Sequence, residues 1–172
     1  MLTDSDLIDL AKRMKFKLAR VCFKDELSEE PLEYNKGYII NLEDEFNEET
    51  GERNGGTHWC CFQMNQYPNE KVEGIYFDPY GVGPPEDVKK FCGKNLASAG
   101  KDIQGLYDTY CGWACCAFLH YVNAASNRSK DLYTDTETFL DMFEDLAAKQ
   151  LESRNEFVLK QFFKKPTIPV NF

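Results

Sequence analysis

Residues 111–125 constrain the fold of this chain more than any other segment. The run from Cys111-Gly112-Trp113 through Phe118-Leu119-His120 to Ala125 is almost continuously apolar and of helical length. A helix that is apolar on every side has to be enclosed by other elements. The run is too short to span a bilayer, and His120 and Asn123 interrupt it. It therefore predicts a buried core helix around which the remaining segments pack. A chain of 172 residues is long enough for that, and one domain over residues 1–172 is expected.

The flanking segments read as a mixed set. Residues 4–14 are amphipathic at helical spacing, with Leu7, Ile8, Leu10, Ala11 and Met14 on one face and Thr3 or Asp4 as the cap. Residues 16–23 and Tyr38–Leu42 read as strands, with a loop over 24–36. A polar loop rich in acidic and amide side chains follows from Glu43 to Gly56. His58–Met64 and Gly74–Asp78 read as an antiparallel pair joined through Gln66-Tyr67-Pro68-Asn69. Pro85 opens a short helix through Val88 and Cys92 that Gly93 ends, and residues 98–110 form a mostly polar connection. Thr134-Asp135-Thr136-Glu137 has the form of a capping box, opening a helix with Phe139, Leu140, Met142, Phe143, Leu146 and Ala147. Residues 156–163 are apolar enough to dock, and Pro166–Phe172 is extended. The order defines an α+β domain.

Charge and cysteine usage narrow the function. The net charge of −9 argues against nucleic-acid binding, which needs clustered Lys and Arg. The short basic clusters, Lys12–Lys17, Lys89–Lys90 and Lys160–Lys165, read as solvated surface. The acidic start Met1-Leu2-Thr3-Asp4 has no secretory signal, so a reducing intracellular compartment is expected. Seven cysteines, an odd number with two adjacent pairs, do not form a secreted disulfide framework.

Among those thiols Cys111 has the best local physics for a nucleophile. It begins the core helix, where unpaired N–H groups and the helix dipole stabilise a thiolate. Cys115 and Cys116 lie deeper, and Cys60 and Cys61 sit mid-strand as structural thiols. A thiol nucleophile needs a base, and the chain has only two histidines. His120 lies nine residues after Cys111, on the opposite helix face, and cannot serve it. His58 follows Gly55-Gly56-Thr57 at a strand start, and Asp78 ends the partner strand. If the strands pair, the two meet at neighbouring ends, where an acid orients an imidazole.

Four elements in order carry a resemblance. They are Gly55-Gly56-Thr57-His58-Trp59, then Tyr76-Phe77-Asp78-Pro79-Tyr80-Gly81, then Gln104, then Cys111-Gly112-Trp113-Ala114-Cys115-Cys116-Ala117-Phe118-Leu119-His120. Together they closely resemble the adenovirus-type maturation cysteine proteases, relatives of the SUMO-deconjugating proteases. The gap of seven residues between Gln104 and Cys111 and the Cys-Cys-x-Phe-Leu-His run are adenovirus-like. The chain also resembles proteases of virophages and Polinton-type elements.

The resemblance implies a papain-like, SUMO-protease-like fold with a central mixed sheet packed by helices. It implies that Cys111 is the nucleophile, His58 the base, Asp78 its orienting acid and Gln104 the oxyanion donor. Trp59, Gly56 and Gly112 would line the substrate channel, with Trp59 as its roof, and cleavage would follow glycine in Gly-Gly or Gly-x-Gly sites. No metal or cofactor is implied. Capsid and other virion precursor proteins are the implied substrates, in the virion and the host cytoplasm, for an enzyme expected to be monomeric. Cys92, 19 residues before Cys111, corresponds to a disulfide with an activating peptide. The adenoviral enzymes have glutamate where this chain has Asp78, whereas the SUMO-protease relatives have aspartate. The −9 charge sets the chain apart from DNA-activated relatives. Three other readings stand beside this one. They are a deubiquitinase- or deSUMOylase-like isopeptidase, an acyltransferase using the same triad, and a zinc site through Cys116 and His120. The last lacks a completing pair of ligands.

Overall fold

The structure, a computed structural model, describes residues 1–105, 109–124, 131–145 and 154–171. Its centre is a five-stranded mixed sheet in the order β1-β2-β3-β4-β5. The strands are β1 (Leu18–Phe23), β2 (Lys36–Asn41), β3 (Trp59–Gln66), β4 (Val72–Phe77) and β5 (Leu96–Ala99). The outer pairs β1–β2 and β4–β5 are parallel, and the inner pairs β2–β3 and β3–β4 are antiparallel. The helices are α1 (Asp4–Met14), α2 (Glu86–Cys92), α3 (Cys111–Ala124), α4 (Leu132–Asp141) and α5 (Asn155–Lys164). The architecture is therefore α+β, and among the described residues no helix is long and apolar enough to cross a membrane.

Strand alternation divides the core into two layers. Ile39, Cys61, Ile75 and Phe77 face the layer holding α1, α3, α4 and α5. Tyr38, Ile40, Cys60, Phe62 and Tyr76 face the layer under α2 and the 3₁₀ helix Lys24–Glu29. The apolar run does become the central helix: α3 buries eleven of its residues, from Cys111 through Val122. Phe118 packs between Phe77 and Phe139, with ring centroids 4.8 and 5.4 Å away. Each such fully buried side chain contributes roughly 1.5–3 kcal/mol relative to exposure.

Helix α1 starts on a capping box. Thr3 Oγ1 accepts from the Asp6 N–H, and the Asp6 carboxylate accepts from the Thr3 N–H at 2.8 Å. It buries Leu7, Leu10, Ala11 and Met14, but Ile8 turns outward and is 43% exposed.

Three other expectations are corrected. The segment 24–36 is not all loop, because Lys24–Glu29 winds into the 3₁₀ helix, with the Glu26 carboxylate accepting from the Phe23 N–H at 2.7 Å. The connection 98–110 starts later than expected, because Leu96–Ala99 adds a parallel edge strand beside β4. Helix α4 begins at Leu132, not at Thr134. Asp131 caps it by accepting from the Tyr133 N–H at 3.0 Å, and Thr134 instead donates its hydroxyl to Asp131. The helix stops at Asp141, so Met142 and Phe143 follow it, and Leu146 and Ala147 lie outside the described residues.

Candidate active site

The site forms where β3, β4 and the start of α3 meet. His58 immediately precedes β3, and Asp78 immediately follows β4. The antiparallel register pairs Cys61 with Phe77 and Phe62 with Tyr76. Continued towards the site, it sets Cys60 opposite Asp78 and His58 opposite Tyr80. His58 and Asp78 thus lie diagonally across one sheet face, within reach of side-chain contact.

His58 Nε2 lies 2.7 Å from Asp78 Oδ1, and the carboxylate is 1% exposed. The same oxygen accepts the Tyr80 backbone N–H at 2.8 Å, which fixes the carboxylate from the turn side. The Cys111 thiol is near enough to act on the same imidazole electrostatically. With Nε2 committed to Asp78, Nδ1 is the ring nitrogen left for the thiol. Burial alone lowers the imidazole's affinity for a proton, but the Asp78 hydrogen bond and the charges of Asp78 and Cys111 outweigh it. His58 is pushed up to about 9. The Tyr80 ring packs against the imidazole, with centroids 4.5 Å apart.

Cys111 is the first residue of α3 and is 3% exposed. The helix start is tied down by Tyr110. Its carbonyl accepts the Ala114 N–H at 2.9 Å, and its hydroxyl donates to the Ile103 carbonyl at 2.7 Å. The Gln104 segment is held from the other side, because Pro79 O accepts both the Ile103 N–H (2.8 Å) and the Gln104 N–H (3.0 Å). Gln104 itself is 2% exposed, and its Nε2 lies 3.5 Å from the Tyr80 hydroxyl. His58, Asp78 and Gln104 therefore belong to one hydrogen-bonded network that runs through Tyr80, with Cys111 beside it.

The remaining expected residues have packing explanations. Gly56 has φ +83°, and a Cβ there would come within 2.5 Å of Asn41 Nδ2. Gly112 lets Leu2 and Leu7 reach the start of α3, where a Cβ would meet their side chains at 3.1 and 3.2 Å. Trp59 is not a free-standing roof. It is 5% exposed, belongs to the α1/α3 core layer and donates its indole N–H to the Leu2 carbonyl at 2.9 Å. Strand alternation points it to the face opposite that of His58 and Cys60, and so buries it. Cys92 is buried in the α2 layer, across the sheet from the α3 packing layer, with its thiol pushed up to about 12 by burial. A thiol so hard to ionise is a poor partner for disulfide exchange with an activating peptide.

His120 lies away from Cys111, with Nδ1 2.8 Å from the Met14 carbonyl oxygen, and Cys116 is fully buried. Among the described residues no further His, Cys, Asp or Glu joins that pair in a metal-ligand cluster. Among the described residues, His58, Cys60 and Asp78 also bring ligand-type atoms within 4.8 Å of one another. They do not fit an ion. Tetrahedral zinc ligands stand roughly 3.3 Å apart or more at ordinary bond lengths, whereas His58 and Asp78 touch at 2.7 Å in a direct hydrogen bond.

Two residues hold the site without having been given a role in it by the sequence. Asn41 Oδ1 accepts from the Thr57 N–H (3.3 Å) and the Glu43 N–H (3.0 Å), anchoring the loop that delivers His58. Tyr80 touches His58, Asp78 and Gln104 at once. No known protein-family profile matches the chain, and no curated protein is significantly similar to it in sequence.

Proposed function

We propose that this protein is a cysteine endopeptidase with a papain-like, SUMO-protease-like arrangement. The observation that carries the reading is the His58 contact set. A buried carboxylate holds Nε2 at 2.7 Å, and a cysteine at the N-terminus of the buried helix lies beside the same imidazole. That geometry matches what a thiol nucleophile requires: a base within reach, and an orienting acid behind it.

In the proposed reaction His58 takes the Cys111 thiol proton, and the sulfur, paired with the imidazolium, attacks the scissile carbonyl. The tetrahedral oxyanion accepts hydrogen bonds from the Gln104 amide and the Cys111 backbone N–H. Collapse breaks the C–N bond, and His58 gives its proton to the leaving amine. Water, deprotonated by His58, then hydrolyses the thioester and regenerates Cys111. Asp78 stabilises the imidazolium in each half of the cycle.

The substrates follow from the resemblance to adenovirus-type maturation proteases: virion precursor proteins cut after glycine, in the virion or the host cytoplasm. The test is cleavage of a proteome-derived peptide library read by mass spectrometry under reducing conditions, with wild type beside Cys111→Ala. Cleavage after glycine that disappears in the variant is the expected outcome. A folded wild type that cleaves no peptide, with or without viral peptides added, would sink the reading.

A further inference from the structure

Cys60 reads as a structural mid-strand thiol, yet its position is inside the catalytic network. The β3–β4 register makes it the direct cross-strand neighbour of Asp78. Its sulfur lies within 4.8 Å of both the Asp78 carboxylate and the His58 ring nitrogen. Cys60 is fully buried and Asp78 is 1% exposed, so water does not compete for the carboxylate there.

We infer that Cys60 is a positioning residue: its S–H donates to the Asp78 carboxylate and holds it against His58. The inference rests on the proposed role of the His58–Asp78 pair. A buried carboxylate is costly unless each of its acceptor sites is used. Asp78 Oδ1 already accepts from His58 and from the Tyr80 N–H. Cys60 supplies a third donor, from the strand side, where the fold offers a side chain at the same height as the acid. Burial keeps this thiol protonated, so it acts as a donor and not as a competing anion. The other titratable groups near it are the Tyr76 hydroxyl, on β4 beside it, and Cys115 on α3, in the opposite core layer. The groups facing His58 are Asp78 and Cys111, with the Tyr80 ring packed on its side.

The test replaces the donor and restores it. Cys60→Ala and the near-isosteric Cys60→Val remove the S–H, and Cys60→Ser supplies a stronger donor. The primary readout is the His58 titration by NMR on the full chain, which has only one other histidine, His120. Without the donor the carboxylate stabilises imidazolium less well, so the His58 midpoint falls by about half a pH unit, a threefold change in its proton equilibrium. In Cys60→Ser it stays at or above the wild-type midpoint. If Ala leaves too large a gap to fold, Val carries the same expectation. A purely structural cysteine would lower the melting temperature in all three variants without moving the titration. Midpoints within about 0.1 unit of wild type in the donorless variants would overturn the inference, as would a Ser variant shifted as far as Val. The protease assay is a separate arm, with turnover expected to drop in Ala and Val and recover in Ser at unchanged KM. Absence of cleavage by wild type would count against the protease reading alone, since the NMR result does not depend on turnover.

Discussion

Replacing Asp78 by asparagine tests the centre of the site, because it keeps the shape and removes the charge. The amide oxygen of the new side chain can still accept the Tyr80 N–H now held at 2.8 Å by Oδ1. In the Oδ1 place that oxygen also still accepts the His58 Nε2–H, so the ring keeps its orientation and tautomer while the charge that stabilises imidazolium is lost. The rise of His58 from 6.5 to about 9 corresponds to about 3 kcal/mol of preference for imidazolium, shared between Asp78 and Cys111. Losing the acid's share of that preference predicts a fall in turnover of at most about 10²-fold.

The same shift makes a stability prediction with a definite sign. His58 binds its proton more tightly folded than unfolded, so its contribution is fully present below about 6.5 and is lost as pH rises through about 9. Wild type should therefore lose up to about 3 kcal/mol between these limits from this group. The Asp78→Asn variant should be less stable at about pH 6 and decline less across the same window, since only Cys111 then raises His58. Thermal melts at half-unit pH intervals, beside the His58 NMR titration, measure both. A variant whose melting temperature declines from pH 6.5 to about 9 as steeply as wild type would refute the assignment of that proton to the His58–Asp78 pair.

Two further substitutions probe how the site is held. Gln104→Ala should leave the melting temperature within a few degrees and lower kcat by about 10²–10³, the usual loss for one oxyanion donor, with KM little changed. Wild-type turnover from a folded variant would remove Gln104 from the chemistry. Gly56→Ala should cost roughly 1–3 kcal/mol, because φ +83° disfavours any Cβ and this one would meet Asn41 Nδ2 at 2.5 Å. Chemical denaturation measures it, and an unchanged midpoint would show that the loop before His58 has another conformation.

What the sequence made legible follows from period and length. An apolar run as long as α3, whose described end is Ala124, has one use in a domain of this size, and the amphipathic spacing of α1 is strong. The β3–β4 hairpin could be read from composition, which brought His58 and Asp78 to one end. Edges and caps were harder. The strand β5 is only Leu-Ala-Ser-Ala, a sequence with little β preference, and it is a strand because it lies beside β4. Asp131 and Thr134 are both good caps at the start of α4, and only packing decides between them. The burial of Trp59 was hidden for a different reason: its indole partner, the Leu2 carbonyl, is 57 residues away in sequence.

The roles of Tyr80 and Cys60 lie between these cases and show what a single register unlocks. Neither residue type announces a catalytic site, and each is ordinary as a tyrosine in a turn or a cysteine in a strand. Once Cys61 is paired with Phe77, however, the antiparallel ladder sets Cys60 beside Asp78 and Tyr80 beside His58. The period of two then places His58 and Cys60 on one face and sends Trp59 and Cys61 to the other. The backbone of the turn completes the arrangement, with Pro79 O holding the Gln104 segment and the Tyr80 N–H holding Asp78. A shift of one residue in that register would put Trp59 where His58 stands and bury the imidazole against α3. The candidate site is therefore specified by hairpin register at least as much as by the identity of its four proposed catalytic side chains.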